Sequence, residues 1–225
     1  MATGYGGGKM QPSDPFRVVA DFEKALCDYT GAPYAVAVSS CTSALFLSLS
    51  WWYQKYGPQV VEIPAKTYVS VPMVAIRAGH CVRFVDHDWP KGWYRIPMTT
   101  VYDAAPTFYP GMYHLEKGKI PTGYVCVSFH PKKPLGLANG GGAILHDDPE
   151  ADEWFRRMRH DGRTDGAGLA QDNVSEIGYH CPMFPSTAAE GLQKLSVYKP
   201  QPVVLDDYRD CRTFPVFQNN PMVVT

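Results

Sequence analysis

Apolar residues in "SDPFRVVADFEKALCDYTG" (13–31) recur with the period of a helix, placing Val18, Val19, Phe22, Ala25 and Leu26 on one face. Asp14 is positioned to cap it, Pro15 suits its first turn and Gly31 ends it. "YAVAV" (34–38) is a short continuous apolar run, the pattern of a buried strand, and "TSALFLSLSWWYQKY" (42–56) predicts an apolar helix stopped by Gly57-Pro58. "QVVEIP" (59–64) and "CVRFVD" (81–86) predict strands on either side of a helix in "TYVSVPMVAIRAG" (67–79). Further strands are expected at "TVYDA" (100–104), "GYVCVSF" (123–129) and "GGAILHD" (141–147). Further helices are expected at "PEADEWFRRMRHDG" (149–162) and "STAAEGLQKLSVY" (186–198).

Apolar strands alternating with helices imply an α/β fold with a mostly parallel sheet covered on both faces, three layers in all. Residues 16–198 are expected to form that domain. The glycine-rich residues 1–15 read as a flexible arm, and 199–225, rich in proline and polar residues, as a tail packed on the domain. No internal repeat is visible.

Composition narrows the partner class. The 225 residues are 45% hydrophobic, enough for one sizeable core, and 21 basic against 22 acidic residues leave a net charge of −1. That balance carries no electrostatic footprint for nucleic acid or an anionic membrane and directs attention to small molecules. Six widely spaced cysteines include no CxxC, the amino terminus has no apolar core and no run reaches membrane length, so a cytoplasmic protein with reduced thiols is expected.

In a parallel α/β sheet the ligand site lies beyond the carboxyl ends of the strands, which makes each strand end informative. After "YAVAV" come Ser39-Ser40-Cys41-Thr42, opening into a helix. Such a turn can hold a phosphate on free N–H groups, although an ordinary cap explains it as well and is favoured when the turn is taken alone. Asp103 ends another apolar strand, either as an exposed charge or as a buried acid with a partner. After "GYVCV" come Ser128, Phe129, His130 and the pair Lys132-Lys133. A lone lysine pair is usually solvated surface, but a desolvated strand-end lysine can form a Schiff base. The combination of cradle, acid and lysine suits pyridoxal phosphate, whose phosphate, ring nitrogen and aldehyde need those three partners.

The segments "FEKALCDYTGAPYAVAVSSCTSALFLSL", "VEIPAKTYVSVPMVAIRAGHCVRFVD", "VYDAA", "SFHPKK", "GGGAIL", "RRMRHDGR" and "IGYHCP" resemble, in order and spacing, the DegT/DnrJ/EryC1/StrS family of pyridoxal-phosphate-dependent sugar aminotransferases. The resemblance covers roughly residues 16 to 195 and implies the large domain of the fold-type-I transferases. The family's S-F-H-x-x-K pattern places the Schiff-base lysine on Lys133, with Lys132 at a variable position, and a phosphate-binding serine on Ser128. It also implies phosphate contacts from the amides of Cys41 and Thr42, ring stacking by Tyr68, and Asp103 opposite the pyridine nitrogen. His180 takes the place of an asparagine that reaches the partner subunit's phosphate, so a homodimer is implied. The reaction implied moves an amino group from glutamate or a similar donor to a nucleotide-linked keto sugar. A binding module that keeps the cofactor or sugar nucleotide without turnover is the alternative, and a related elimination, racemisation or decarboxylation a remoter one.

The chain also departs from the family pattern. Pro106 stands where glutamine follows D-A-A, Pro134 where asparagine follows the lysine, and Gly140-Gly141-Gly142 where E-G-G is usual. The chain reads as a short form without the family's carboxy-terminal domain. Elsewhere, Asp86-His87-Asp88 reads as a solvated loop rather than a metal site, because adjacent residues on extended chain point to alternate sides. Cys126 reads as a buried inert thiol, Trp51-Trp52-Tyr53 as core or interface, and "GYGGGKMQP" lacks phosphate-loop spacing.

Overall fold

The computed structural model describes residues 16–114, 123–164, 167 and 170–225. The expected arm, and with it Asp14 and Pro15, lies outside the described residues. Six α-helices and eight strands follow one another as α1 (Arg17–Thr30), β1 (Tyr34–Val38), α2 (Cys41–Tyr56), β2 (Val60–Pro64), α3 (Ser70–Arg77), β3 (Cys81–Val85), β4 (Tyr94–Arg95), β5 (Val101–Asp103), β6 (Tyr124–Ser128), β7 (Gly142–His146), α4 (Pro149–Met158), α5 (Pro185–Leu195), α6 (Pro215–Gln218) and β8 (Val223–Val224), among the described residues.

The alternation seen in the sequence is present, with helix ends trimmed by local chemistry. Gly31, at φ 80°, takes the left-handed conformation that ends α1 and returns its N–H to the Cys27 carbonyl. α3 begins at Ser70 rather than at 67, and α4 stops at Met158, where His160 turns to bridge His180.

Five strands form one sheet in the order β1-β7-β6-β5-β4, and β2-β3-β8 form a second. β1, β5 and β6 run in one direction; β7, between β1 and β6, and the short β4 oppose them. The second sheet is parallel throughout. Strand alternation builds the three layers. Val36 and Val38 of β1, Tyr124 and Cys126 of β6 and Ile144 of β7 face a core shared with α2, α3, α4 and the second sheet. Ala35, Ala37, Val125, Val127, Ala143 and Leu145 face the opposite core with α1 and α5.

Beyond α5, residues 199–210 carry no helix or strand. The chain is then fixed by Cys211, which is buried and donates its N–H to the Ala65 carbonyl at 2.8 Å, and by β8, which extends the second sheet at β3. Among the described residues no helix is long and apolar enough to cross a membrane.

Candidate functional site

Because β1, β5 and β6 are parallel, their carboxyl ends, Val38, Asp103 and Ser128, emerge at one edge of the sheet. Antiparallel β7 starts at that edge with Gly142. A cleft of about 710 Å³ opens there, and Cys41, Thr42, Tyr68, Asp103, Ser128 and Lys133 all line it.

At the β1 end, Ser40 caps α2 by accepting the Ser43 N–H at 3.1 Å. The amides of Cys41 and Thr42 follow in the first turn, where a helix has no internal acceptor for its N–H groups and a positive partial charge. The Thr42 hydroxyl is 2.9 Å from that of Ser70. Burial, reinforced by Asp103, pushes the Cys41 thiol up, so it stays protonated. Gly142 lets β7 meet this turn closely: a Cβ there would lie 2.6 Å from the Ser40 carbonyl carbon and nearer still to the Cys41 nitrogen. Gly142→Ala is therefore expected to cost roughly 1–3 kcal/mol, because backbone on both sides must shift. Thermal unfolding checks it, an unchanged midpoint being the contrary result.

At the β5 end Asp103 is 3% exposed. Burial pushes its carboxyl up, opposed by the Ala105 N–H, which donates to Oδ1 at 3.0 Å, and by the Tyr94 hydroxyl, which donates to Oδ2 at 3.0 Å. At the β6 end the Ser128 hydroxyl accepts the His130 N–H at 3.3 Å, and a turn closed by Lys133 N–H to the His130 carbonyl at 2.7 Å brings the next residues back over the cleft. The two lysines then differ. Lys132 is exposed, whereas the Lys133 side chain is 15% exposed, its amine 2.9 Å from Asp206 Oδ2 and 3.4 Å from the Tyr208 hydroxyl.

Asp206 and Tyr208, which also bond each other at 3.0 Å, come from the segment after α5. The Lys133 amine holds the Asp206 carboxyl below the usual carboxylate range. Tyr208 stacks on Trp89 with centroids 5.8 Å apart, and Trp89 packs on Tyr94. An aromatic wall therefore joins the lysine side of the cleft to the Asp103 side. None of Asp206, Tyr208, Trp89 and Tyr94 stands out in the sequence, since Asp206 and Tyr208 reach the cleft, and Trp89 and Tyr94 the wall behind it, through tertiary packing rather than from the end of an apolar run.

Tyr68 lies at the rim, 58% exposed. His180 does not line the cleft. It sits on an exposed stretch with Nδ1 2.8 Å from Asp161 Oδ2. Asp86, His87 and Asp88 are exposed, Asp86 paired with Arg212. Cys126 is buried in β6, its thiol pushed up by burial. Trp51 is buried and donates to the Tyr124 hydroxyl at 2.8 Å.

Comparison with known proteins adds to this geometry. The model of the DegT/DnrJ/EryC1/StrS aminotransferase family matches residues 13–99 and 98–201. Among curated relatives, the spore coat polysaccharide biosynthesis protein SpsC of Bacillus subtilis is 40% identical, and the UDP-4-amino-4,6-dideoxy-N-acetyl-beta-L-altrosamine transaminase of Campylobacter jejuni 26% identical. Each alignment covers 79% of this chain and 56% of the relative, so the chain spans little more than half of either. Among solved structures, NtdA of Bacillus subtilis with bound cofactor PMP superposes with a TM-score of 0.63 at 20% identity, covering 79% of this chain and 47% of that one, which establishes a shared fold.

Proposed function

The chain belongs to the DegT/DnrJ/EryC1/StrS aminotransferase family, and from that premise we propose that it is a pyridoxal-phosphate-dependent aminotransferase that passes an amino group from glutamate or a similar donor to a nucleotide-linked keto sugar. The observation that carries this reading is the convergence in one cleft of a shielded lysine amine, a buried carboxylate and a helix amino terminus, at the ends of three parallel strands.

The donor set fits the cofactor. Pyridoxal phosphate would supply an aldehyde for covalent attachment and a ring that accepts the electron pair left when the carbon bearing the amino group loses its proton. The Cys41 and Thr42 amides, with the Thr42 and Ser128 hydroxyls, offer N–H and O–H donors and a helix dipole to a phosphate. Asp103 offers a carboxylate, shielded from water, to a protonated ring nitrogen. Tyr68 offers a flat face, and Lys133 the amine that attaches the aldehyde and later moves the substrate's proton. Asp206 and Tyr208 are the partners that hold and orient that amine. His180, outside its own cleft, is assigned to the phosphate of a second copy, in a homodimer.

The Lys133–Asp206 pair also favours a second reading, a module that holds the cofactor without turnover. One assay separates the two. The chain is loaded with pyridoxal phosphate and given glutamate; release of 2-oxoglutarate with loss of the yellow colour, followed by amination of a nucleotide-linked keto sugar, is expected. Colour that persists with no 2-oxoglutarate would establish the binding module instead.

A further inference from the structure

Tyr94 is the direct cross-strand partner of Asp103 in the β4–β5 pair. Its hydroxyl donates to Asp103 Oδ2 at 3.0 Å and lies 2.9 Å from Thr67 Oγ1. The phenol's hydrogen is committed to the carboxylate, so Thr67 donates to the phenol oxygen, and the result is an ordered relay from Thr67 to Tyr94 to Asp103. All three side chains are buried. The Tyr94 ring is held by Trp89, centroids 5.1 Å apart, and Trp89 is in turn fixed by its Nε1 donating to the Lys66 carbonyl at 3.1 Å. The phenol cannot swing away without repacking that wall.

A buried carboxylate with a single backbone donor favours its neutral form, and a neutral acid cannot serve as counter-ion to a protonated ring. Two further thiols and a phenol lie near Asp103: Cys41 of α2, Cys126 of β6 and Tyr208. All are pushed up by burial, leaving Lys133 as the cation that Asp103 faces. We propose that Tyr94 is a positioning residue that keeps Asp103 ionised, so that the proton shared between Asp103 and a cofactor ring nitrogen resides on the nitrogen. The inference rests on the cofactor reading above. Its proton balance is simple: with the phenol present the proton is on nitrogen and the charge on Asp103, and without it the same proton moves to the carboxylate oxygen, leaving both groups neutral.

The test uses Tyr94→Phe, which keeps the ring and its packing on Trp89, and Thr67→Val, which removes only the donor to the phenol. In the cofactor-free chain carrying carbon-13 aspartate carboxyls, with Asp103→Asn assigning the signal, Asp103 in Tyr94→Phe should hold its proton to a pH higher by about one unit or more. Thr67→Val should shift it the same way by less, and serves alone if Tyr94→Phe does not fold. In the loaded chain, nitrogen-15 in the cofactor ring should move from the protonated toward the unprotonated position. An Asp103 titration unchanged in the folded variants, or a ring signal that stays protonated, overturns the inference and leaves the proposed function standing. Failure of the unsubstituted chain to take up pyridoxal phosphate overturns the proposed function, while the carboxyl titration still decides whether Tyr94 holds Asp103 ionised.

Discussion

Lys133→Ala is expected to abolish covalent uptake of pyridoxal phosphate, while Lys132→Ala leaves it within a few fold. The two residues are adjacent and chemically identical, so the difference comes from placement. The turn after β6 directs Lys133 inward, where its amine meets Asp206 and Tyr208, and leaves Lys132 in solvent. Without Lys133 the cleft keeps Asp103 and the donors proposed for the phosphate, so weak non-covalent binding of the cofactor is expected to persist. The Schiff-base absorbance, followed as each variant is titrated, separates the cases. Loss of the band in Lys132→Ala, or its survival in Lys133→Ala, would move the attachment point.

Glu23→Ala is expected to produce the largest loss of stability, about 3–5 kcal/mol, because it removes the carboxylate of a buried ionic network. Glu23 is 4% exposed on α1. It accepts the Ala37 N–H at 2.8 Å, Arg156 Nη1 at 2.7 Å and Arg159 Nη1. Arg159 also donates to the Ala37 carbonyl, and Arg156 holds Asp152 with two bonds, so the network joins α1, β1 and the end of α4. Removing the acid leaves two guanidinium groups facing each other across the space it filled and takes the acceptor from a buried backbone N–H. Glu23→Gln, which retains the volume and one acceptor, is expected to lose less. Urea unfolding checks this as a fall in midpoint at constant slope. A Glu23→Gln variant as stable as the unsubstituted chain would assign the effect to packing rather than charge.

Much of the architecture is legible in the sequence because its apolar runs are short, dense and bounded by glycine or proline. β1, β2, β3 and β5 to β7 fall where such runs stand, and so do the helices between them. β4, β8 and α6 carry no such signal. Two-residue strands exist only through pairing, β4 with β5 and β8 with β3, and composition does not encode a pairing. The reversal of β7 was equally hidden, since a buried strand reads the same in either direction.

The candidate site divides along the same line. Ser40 to Thr42, Asp103, Ser128 and Lys133 are visible because each stands at the end of a strand or in the turn after it, and parallel strands deliver their ends to one edge. Tyr94, Thr67 and Trp89 act through β4 and the loops beside it, and Asp206 and Tyr208 reach Lys133 from more than 70 residues away. Nothing local in "GWYRIP" or "VLDDYRD" marks these residues, because their roles arise from where the chain passes, not from what surrounds them in sequence.

The most direct measurement is to load the chain with pyridoxal phosphate, reduce it with borohydride and locate the modified residue by peptide mass spectrometry. The account predicts one pyridoxyl group, on Lys133. Modification of Lys132 or of another lysine, or no modification in a chain that binds the cofactor, would contradict it.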